Sequence, residues 1–199
     1  MNPHKDSFPT LPDLLAPALD IVFVGINPSL YSVERGHYFA RPTNRFWAAL
    51  SRSQLSARAR CGLGVDVLRP EHDVELPRFG LGFTDVIKRP TANISELGHS
   101  EFAQAVPRLF AELHRYAPRV ACFHGLTGYR PFLRLALGST SRPALGPQPE
   151  RIGVTRLYVV PNPSGANAHF TPADQAVWYD RLAKFIAKTT FRGRFSRDF

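Results

Sequence analysis

Residues 21–47 read IVFVGINPSLYSVERGHYFARPTNRFW, and the fold is decided here. The first four residues, Ile21, Val22, Phe23 and Val24, are all β-branched or aromatic. Such an unbroken apolar run suits a strand buried on both faces, as strands of parallel sheets are. Gly25 ends the run where the backbone can turn without a Cβ clash, and Asn27, Pro28 and Ser29 follow as a rigid polar tip. In an open parallel sheet such a tip lies at the carboxyl edge, where ligands bind.

The same pattern returns near the far end of the chain. Residues 157–160, LYVV, run into Pro161, Asn162, Pro163, Ser164 and Gly165. One Asn-Pro turn is most often a plain chain reversal. Two of them, ending two parallel strands of one sheet, would face a single cleft, and that convergence reads as a site.

GINPSL, FARPTNRFW and PNPSG, in this order, resemble the motifs of the mismatch-specific uracil-DNA glycosylases and their thymine-DNA glycosylase relatives, across residues 14–188. The resemblance implies a single three-layer α/β/α domain with a central, mainly parallel sheet, the uracil-DNA glycosylase-like fold. It implies a monofunctional DNA glycosylase that flips uracil, chiefly from G:U mispairs in double-stranded DNA, out of the helix. Hydrolysis of the N-glycosidic bond then leaves an abasic site, the start of base excision repair. It assigns the catalytic amide to Asn27, stacking on the flipped base to Phe39, and the base edge to Ser29 and Ser32. The loop of Asn162, Pro163, Ser164, Gly165, Ala166 and Asn167 would enter the duplex, with Gly165 permitting close backbone approach. Ala166 is a small plug for the vacated stack, which turns attention to Asn167 and His169 for contact with the widowed guanine. No cofactor and no metal is implied.

Residues 80–92, GLGFTDVIKRPTA, place Asp85 beside the base pocket in the same comparison, where relatives carry Asn or Lys. A carboxamide can orient a water molecule but has no useful basicity. A carboxylate could take the water's proton and offset positive charge on an oxocarbenium-like sugar. Asp85 is therefore a second catalytic candidate, the alternative being a carboxylate that binds backbone N–H groups in a turn.

Composition sets the remaining bounds. A chain of 199 residues, 44% hydrophobic, fits one domain, here residues 11–189, between a loose tail at 1–10 and a basic tail at 190–199. The formal charge of +9 points to a polyanionic partner. Cys61 and Cys122 provide neither a disulfide framework nor the four thiolates of an iron–sulfur cluster. No apolar run approaches the roughly 20 residues of a membrane span, and no signal-peptide pattern opens the chain, so a cytoplasmic location without membrane contact is expected. A monomer suits a protein that searches DNA. No G-x-G-x-x-G or phosphate-loop pattern follows a strand, and no paired histidines mark a hydrolytic metal site. Two other readings stay open, a broader enzyme acting also on A:U pairs and single strands, and a basic DNA-binding module without catalysis.

Along the rest of the chain, residues 31–43 mix Arg35, His37, Tyr38, Phe39 and Arg41, which suits phosphate contact and base stacking. The spacing predicts a helix over 11–19 interrupted by Pro17, and another capped by Asn44. A longer one is expected over 95–116 with a kink or restart at Pro107. A strand over 119–123 ends at His124 and leads to a helix over 127–137. Thr171 and Pro172 open a last helix. Residues 62–79 are expected to be irregular apart from a turn near 65–68, and 138–152 to be surface loop.

Overall fold

The computed structural model describes residues 9–167 and 169–194. Its strands are β1 (Ile21–Gly25), β2 (Leu81–Asp85), β3 (Val120–His124), β4 (Gly146–Ile152) and β5 (Thr155–Val160), in the sheet order β2-β1-β3-β5-β4. β1 runs parallel to β2 and β3, and β3 parallel to β5, while β4 is antiparallel to β5. The helices are α1 (Leu30–Arg35), α2 (Phe46–Arg52), α3 (Ala57–Leu63), α4 (His99–Tyr116), α5 (Leu126–Leu137) and α6 (Pro172–Arg194).

The apolar run of β1 feeds two cores. Ile21 and Phe23 pack with Phe46, Leu50, Tyr179 and Leu182 from α2 and α6. Val22 and Val24 pack with Val106, Leu109, Phe132 and Leu133 from α4 and α5. Successive strand side chains point to opposite faces, so a central strand covered on both sides must be apolar at every position. The expected three-layer α/β/α architecture follows directly.

Several local expectations change. Residues 11–19 form no helix; Leu14 pairs antiparallel with Phe83, exchanging N–H···O bonds of 2.9 and 3.0 Å. This segment covers the outer edge of β2, which would otherwise present unpaired backbone groups. Residues 146–152 are strand β4 rather than loop, and Pro147 and Pro149 sit in it because an edge strand has backbone N–H positions that need no ladder partner. Residues 62–79 are more regular than expected, with the end of α3 and a 3-10 segment, Pro70–Phe79. α4 runs as one helix through the exposed Pro107. At the start of α6, Thr171 Oγ1 accepts from the Asp174 N–H, and Asp174 Oδ2 accepts from the Thr171 N–H. α6 continues to Arg194, into the segment read as a basic tail; residues 1–8 and 195–199 of the two expected tails lie outside the described residues.

Candidate active site

The chain leaves β1 towards β2 on one side and β3 towards β5 on the other. That reversal opens a crevice at the carboxyl ends of β1 and β3. A cleft of about 990 Å³ lies there. Of the residues singled out in the sequence, it brings together Asn27, Ser29, Ser32, Phe39, Asp85, Asn162, Ser164, Ala166 and Asn167. Pro163 and Gly165 do not line it; Pro163 is buried and Gly165 is exposed at the tip.

Asn27 is fixed by its amide nitrogen. Nδ2 donates to the Arg89 carbonyl and to Thr91 Oγ1, both at 2.9 Å, and to the Pro28 carbonyl at 3.2 Å. The carboxamide oxygen takes part in none of these bonds, so an acceptor is held at the cleft wall in one orientation. Thr91 was not foreseen; it joins the tip through a bridge with Ser29 and an N–H bond to the Pro28 carbonyl.

Asp85 ends β2 in register with Gly25, which ends β1. A Cβ at Gly25 would collide with Asp85 Oδ1, so this glycine is the space into which the carboxylate packs. Asp85 is buried, and its Oδ2 has no hydrogen-bond partner. The backbone-binding alternative is therefore not the geometry adopted. Burial pushes the Asp85 carboxyl up to about 7; Lys88 and Arg108 pull it down and Asp13 pushes it up. Those three groups form one network, with Lys88 Nζ 2.7 Å from Asp13 Oδ1 and Arg108 Nη1 2.9 Å from Asp13 Oδ2. Arg108 also donates through Nη2 to the Asp85 carbonyl.

Phe39 has a left-handed backbone, φ 53°, which costs a non-glycine residue about 1–2 kcal/mol. Its flanking peptides are pinned to hold it. Asp73 Oδ2 accepts from the Tyr38 N–H at 2.8 Å, Trp47 Nε1 donates to the Tyr38 carbonyl at 2.9 Å, and Ser32 Oγ accepts from the Ala40 N–H at 3.2 Å. Asp73 Oδ1 also meets His37 Nδ1 at 2.9 Å. One face of the Phe39 ring is stacked on Phe46, with centroids 4.3 Å apart, and the ring lines the cleft. Ser29 and Ser32 line it too, but their hydroxyls are already engaged. Ser29 Oγ caps α1 by accepting from the Ser32 N–H and donates to Ser32 Oγ at 3.0 Å.

The second tip is held from below by Arg45, another residue the sequence did not mark. Its N–H donates to the Pro163 carbonyl, and Nη1 donates to the carbonyls of Asn167 at 2.7 Å and Phe170 at 2.6 Å. Asn162 Oδ1 accepts from the Ser164 N–H, and Asn167 Nδ2 donates to the Asn162 carbonyl. Gly165 gains a nearer reason than approach to a duplex, because a Cβ there would stand 2.8 Å from the Thr43 carbonyl oxygen. The two loops of the cleft thus touch at this glycine.

His124, the last residue of β3, lies on the cleft floor. Its Nε2 is 3.0 Å from Tyr179 Oη, and its ring meets Phe39 edge-on with centroids 5.1 Å apart. Burial pushes its imidazole down to about 3, so it is neutral where it meets the Phe39 ring.

A family model for the uracil DNA glycosylase superfamily matches residues 12–183. A solution NMR structure from Methanosarcina acetivorans, provisionally described as a uracil DNA glycosylase, shares the fold with a TM-score of 0.54. The match covers 89% of this chain and 97% of that one at 22% sequence identity, a level that speaks for the fold alone. The matched region contains all five strands and every residue described around the cleft. The chain belongs to the uracil DNA glycosylase superfamily.

Proposed function

We propose that this protein is a monofunctional DNA glycosylase that excises uracil, chiefly from G:U mispairs in double-stranded DNA, acting as a monomer inside the cell. One observation carries the reading. An amide anchored through its nitrogen, with its oxygen unspent, shares a cleft with an unpartnered buried carboxylate and a strained, half-stacked phenylalanine.

In the proposed reaction the flipped uracil stacks on the free face of Phe39. The C1′–N1 bond breaks and its electron pair leaves with uracil as an anion. The sugar becomes oxocarbenium-like. Asn27 Oδ1 accepts a hydrogen bond from a water placed against C1′, and the Asp85 carboxylate takes the proton as the C–O bond forms. The Asp85 anion also offsets the sugar's positive charge, an effect strengthened where water is excluded.

A second reading, activity on A:U pairs and single strands as well, is favoured by the small Ala166 at the exposed tip and by the added carboxylate. Single-turnover cleavage of G:U, A:U, G:T and single-stranded uracil substrates by wild type and Asp85→Ala separates the two. Preference for G:U by more than about tenfold supports the mismatch enzyme, and even rates support the broad one. No cleavage of any substrate by wild type would overturn both and leave a DNA-binding module.

A further inference from the structure

Beside the cleft lies a second cavity of about 660 Å³, between α5 and residues 139–143. α5 starts at the carboxyl edge of the sheet, where Gly125 follows β3, and returns along one flank. The segment after it climbs back, bringing Leu145 to the cleft wall and Gly146 opposite Val159 near the end of β5. The cavity is therefore a groove that leaves the cleft and descends the side of the molecule. Arg130 lines both spaces, and Arg134 and Arg142 line the groove alone.

All three arginines are exposed. Among the described residues neither Arg130 nor Arg142 has an ion-pair partner, and Arg134 touches the imidazole of His99. A carboxylate also stands at this wall: Glu150 accepts from the hydroxyls of Ser139 and Ser141 at 2.9 and 3.0 Å. Those bonds leave Glu150 its negative charge, so the wall sets three guanidinium charges against one carboxylate, and the surplus of positive charge focuses its field on anions. Arg130 and Arg134 are one helical turn apart, about 6 Å along the axis, close to the step between phosphates of an extended strand. Pro131 and Pro143 supply apolar wall between the charges. A stiff duplex laid across the sheet edge cannot turn down this flank, whereas a single strand can.

We propose that this groove binds the single-stranded continuation of the strand whose nucleotide occupies the cleft, with Arg130, Arg134 and Arg142 on successive phosphates. The identity of that strand rests on the second reading above, in which the cleft also receives uracil from single-stranded DNA. The bond set is electrostatic and tolerant of sequence, as single-strand grooves are.

Binding is measured without chemistry, using fluorescent strands that carry a tetrahydrofuran abasic analogue, in lengths of about 5 and about 15 nucleotides, and the same analogue in a duplex. Wild type is compared with Arg134→Gln/Arg142→Gln, which leaves Arg130 and the cleft intact. The variant is expected to bind the long strand about tenfold more weakly, and its log–log salt slope should fall by about 1.4, at about 0.7 per lost contact. Binding to the short strand and the duplex, thermal stability, and single-turnover rate at saturating enzyme should be unchanged. Equal affinity of the two proteins for the long strand overturns the proposal, and an equal loss on the duplex overturns its assignment to single strands. If wild type cleaves no uracil substrate while the length- and arginine-dependent binding persists, the glycosylase reading falls and the groove stands.

Discussion

Asn27 and Asn162 each follow a parallel strand, each precede Pro and Ser, and each line the same cleft. They spend their carboxamides in opposite ways. Asn27 donates through nitrogen to Arg89 and Thr91 and keeps its oxygen for the cleft. Asn162 accepts the Ser164 N–H through its oxygen, closing a turn on itself. The triplet alone does not set the role. The extended segment around Thr91 turns one tip into an acceptor held at the cleft wall, and Arg45 turns the other into a braced projection.

The largest test of this contrast is Asn27→Ala. With Asn27 orienting the attacking water as proposed, its loss is expected to lower the single-turnover rate on G:U duplexes about 10³-fold, within the range general for such groups. Affinity for abasic duplex should stay within about threefold. A rate within tenfold of wild type would mean that the two tips are not distinguished by chemistry.

Asp85 is the next largest. Only the ionised carboxylate can accept a proton, so the wild-type rate should climb about tenfold per pH unit up to about pH 7, the position burial gives this group, and then level off. Asp85→Asn should be about 10²-fold slower at pH 8 with a flat profile. Stability moves the other way. Below about pH 4 the carboxyl is protonated in both folded and unfolded chains and the substitution is neutral. Between about pH 4 and 7 the unfolded chain releases a proton that the folded chain retains, so wild-type stability falls as pH rises. The loss reaches on the order of 4 kcal/mol above pH 7. Thermal denaturation should therefore show Asp85→Asn more stable than wild type at pH 8 and no different at pH 4. A pH-independent gap would remove the buried-anion account.

What could be read in the sequence follows the range of the interactions. β1 and its tip were legible because an apolar quartet, a glycine and an Asn-Pro-Ser turn are local signals. β4 was not, since Pro147 and Pro149 look like loop until the strand is known to lie at an edge. The apolar spacing of 11–19 suited a helix, and only pairing with Phe83 favours the extended form. In the site, Asn27, Phe39 and Asp85 were named, but the groups that orient them were not. Thr91 lies 64 residues from Asn27, Asp73 lies 35 from Tyr38, and Phe170 lies 125 from Arg45. No periodicity connects residues so far apart. The Arg45 signal was visible only as the start of a helix, which α2 indeed begins one residue later.

Arg45→Met tests the brace under the second tip. Methionine preserves much of the side-chain bulk and loses the charge-assisted bonds to the Asn167 and Phe170 carbonyls, a loss of about 2 kcal/mol. The expected result is about twentyfold weaker binding to duplex, with a saturating single-turnover rate within about threefold of wild type. A rate loss without an affinity loss would place this loop with Asn27 rather than opposite it.

The smallest effect falls on Asn162 and separates the tips most cleanly. Asn162→Ala removes the acceptor for the Ser164 N–H, about 1 kcal/mol in a half-buried turn, and should weaken duplex binding about threefold with the rate unchanged. Aspartate then discriminates between the positions. At 162 it keeps an oxygen for the Ser164 N–H and should match wild type in binding and thermal stability. At 27 it has no N–H to donate, and it sets a carboxylate oxygen against the Arg89 carbonyl oxygen 2.9 Å from the original nitrogen. Asn27→Asp should therefore melt several degrees lower while Asn162→Asp does not. Equal melting of the two variants would show that the donor bonds to Arg89 and Thr91 do not set the first tip apart.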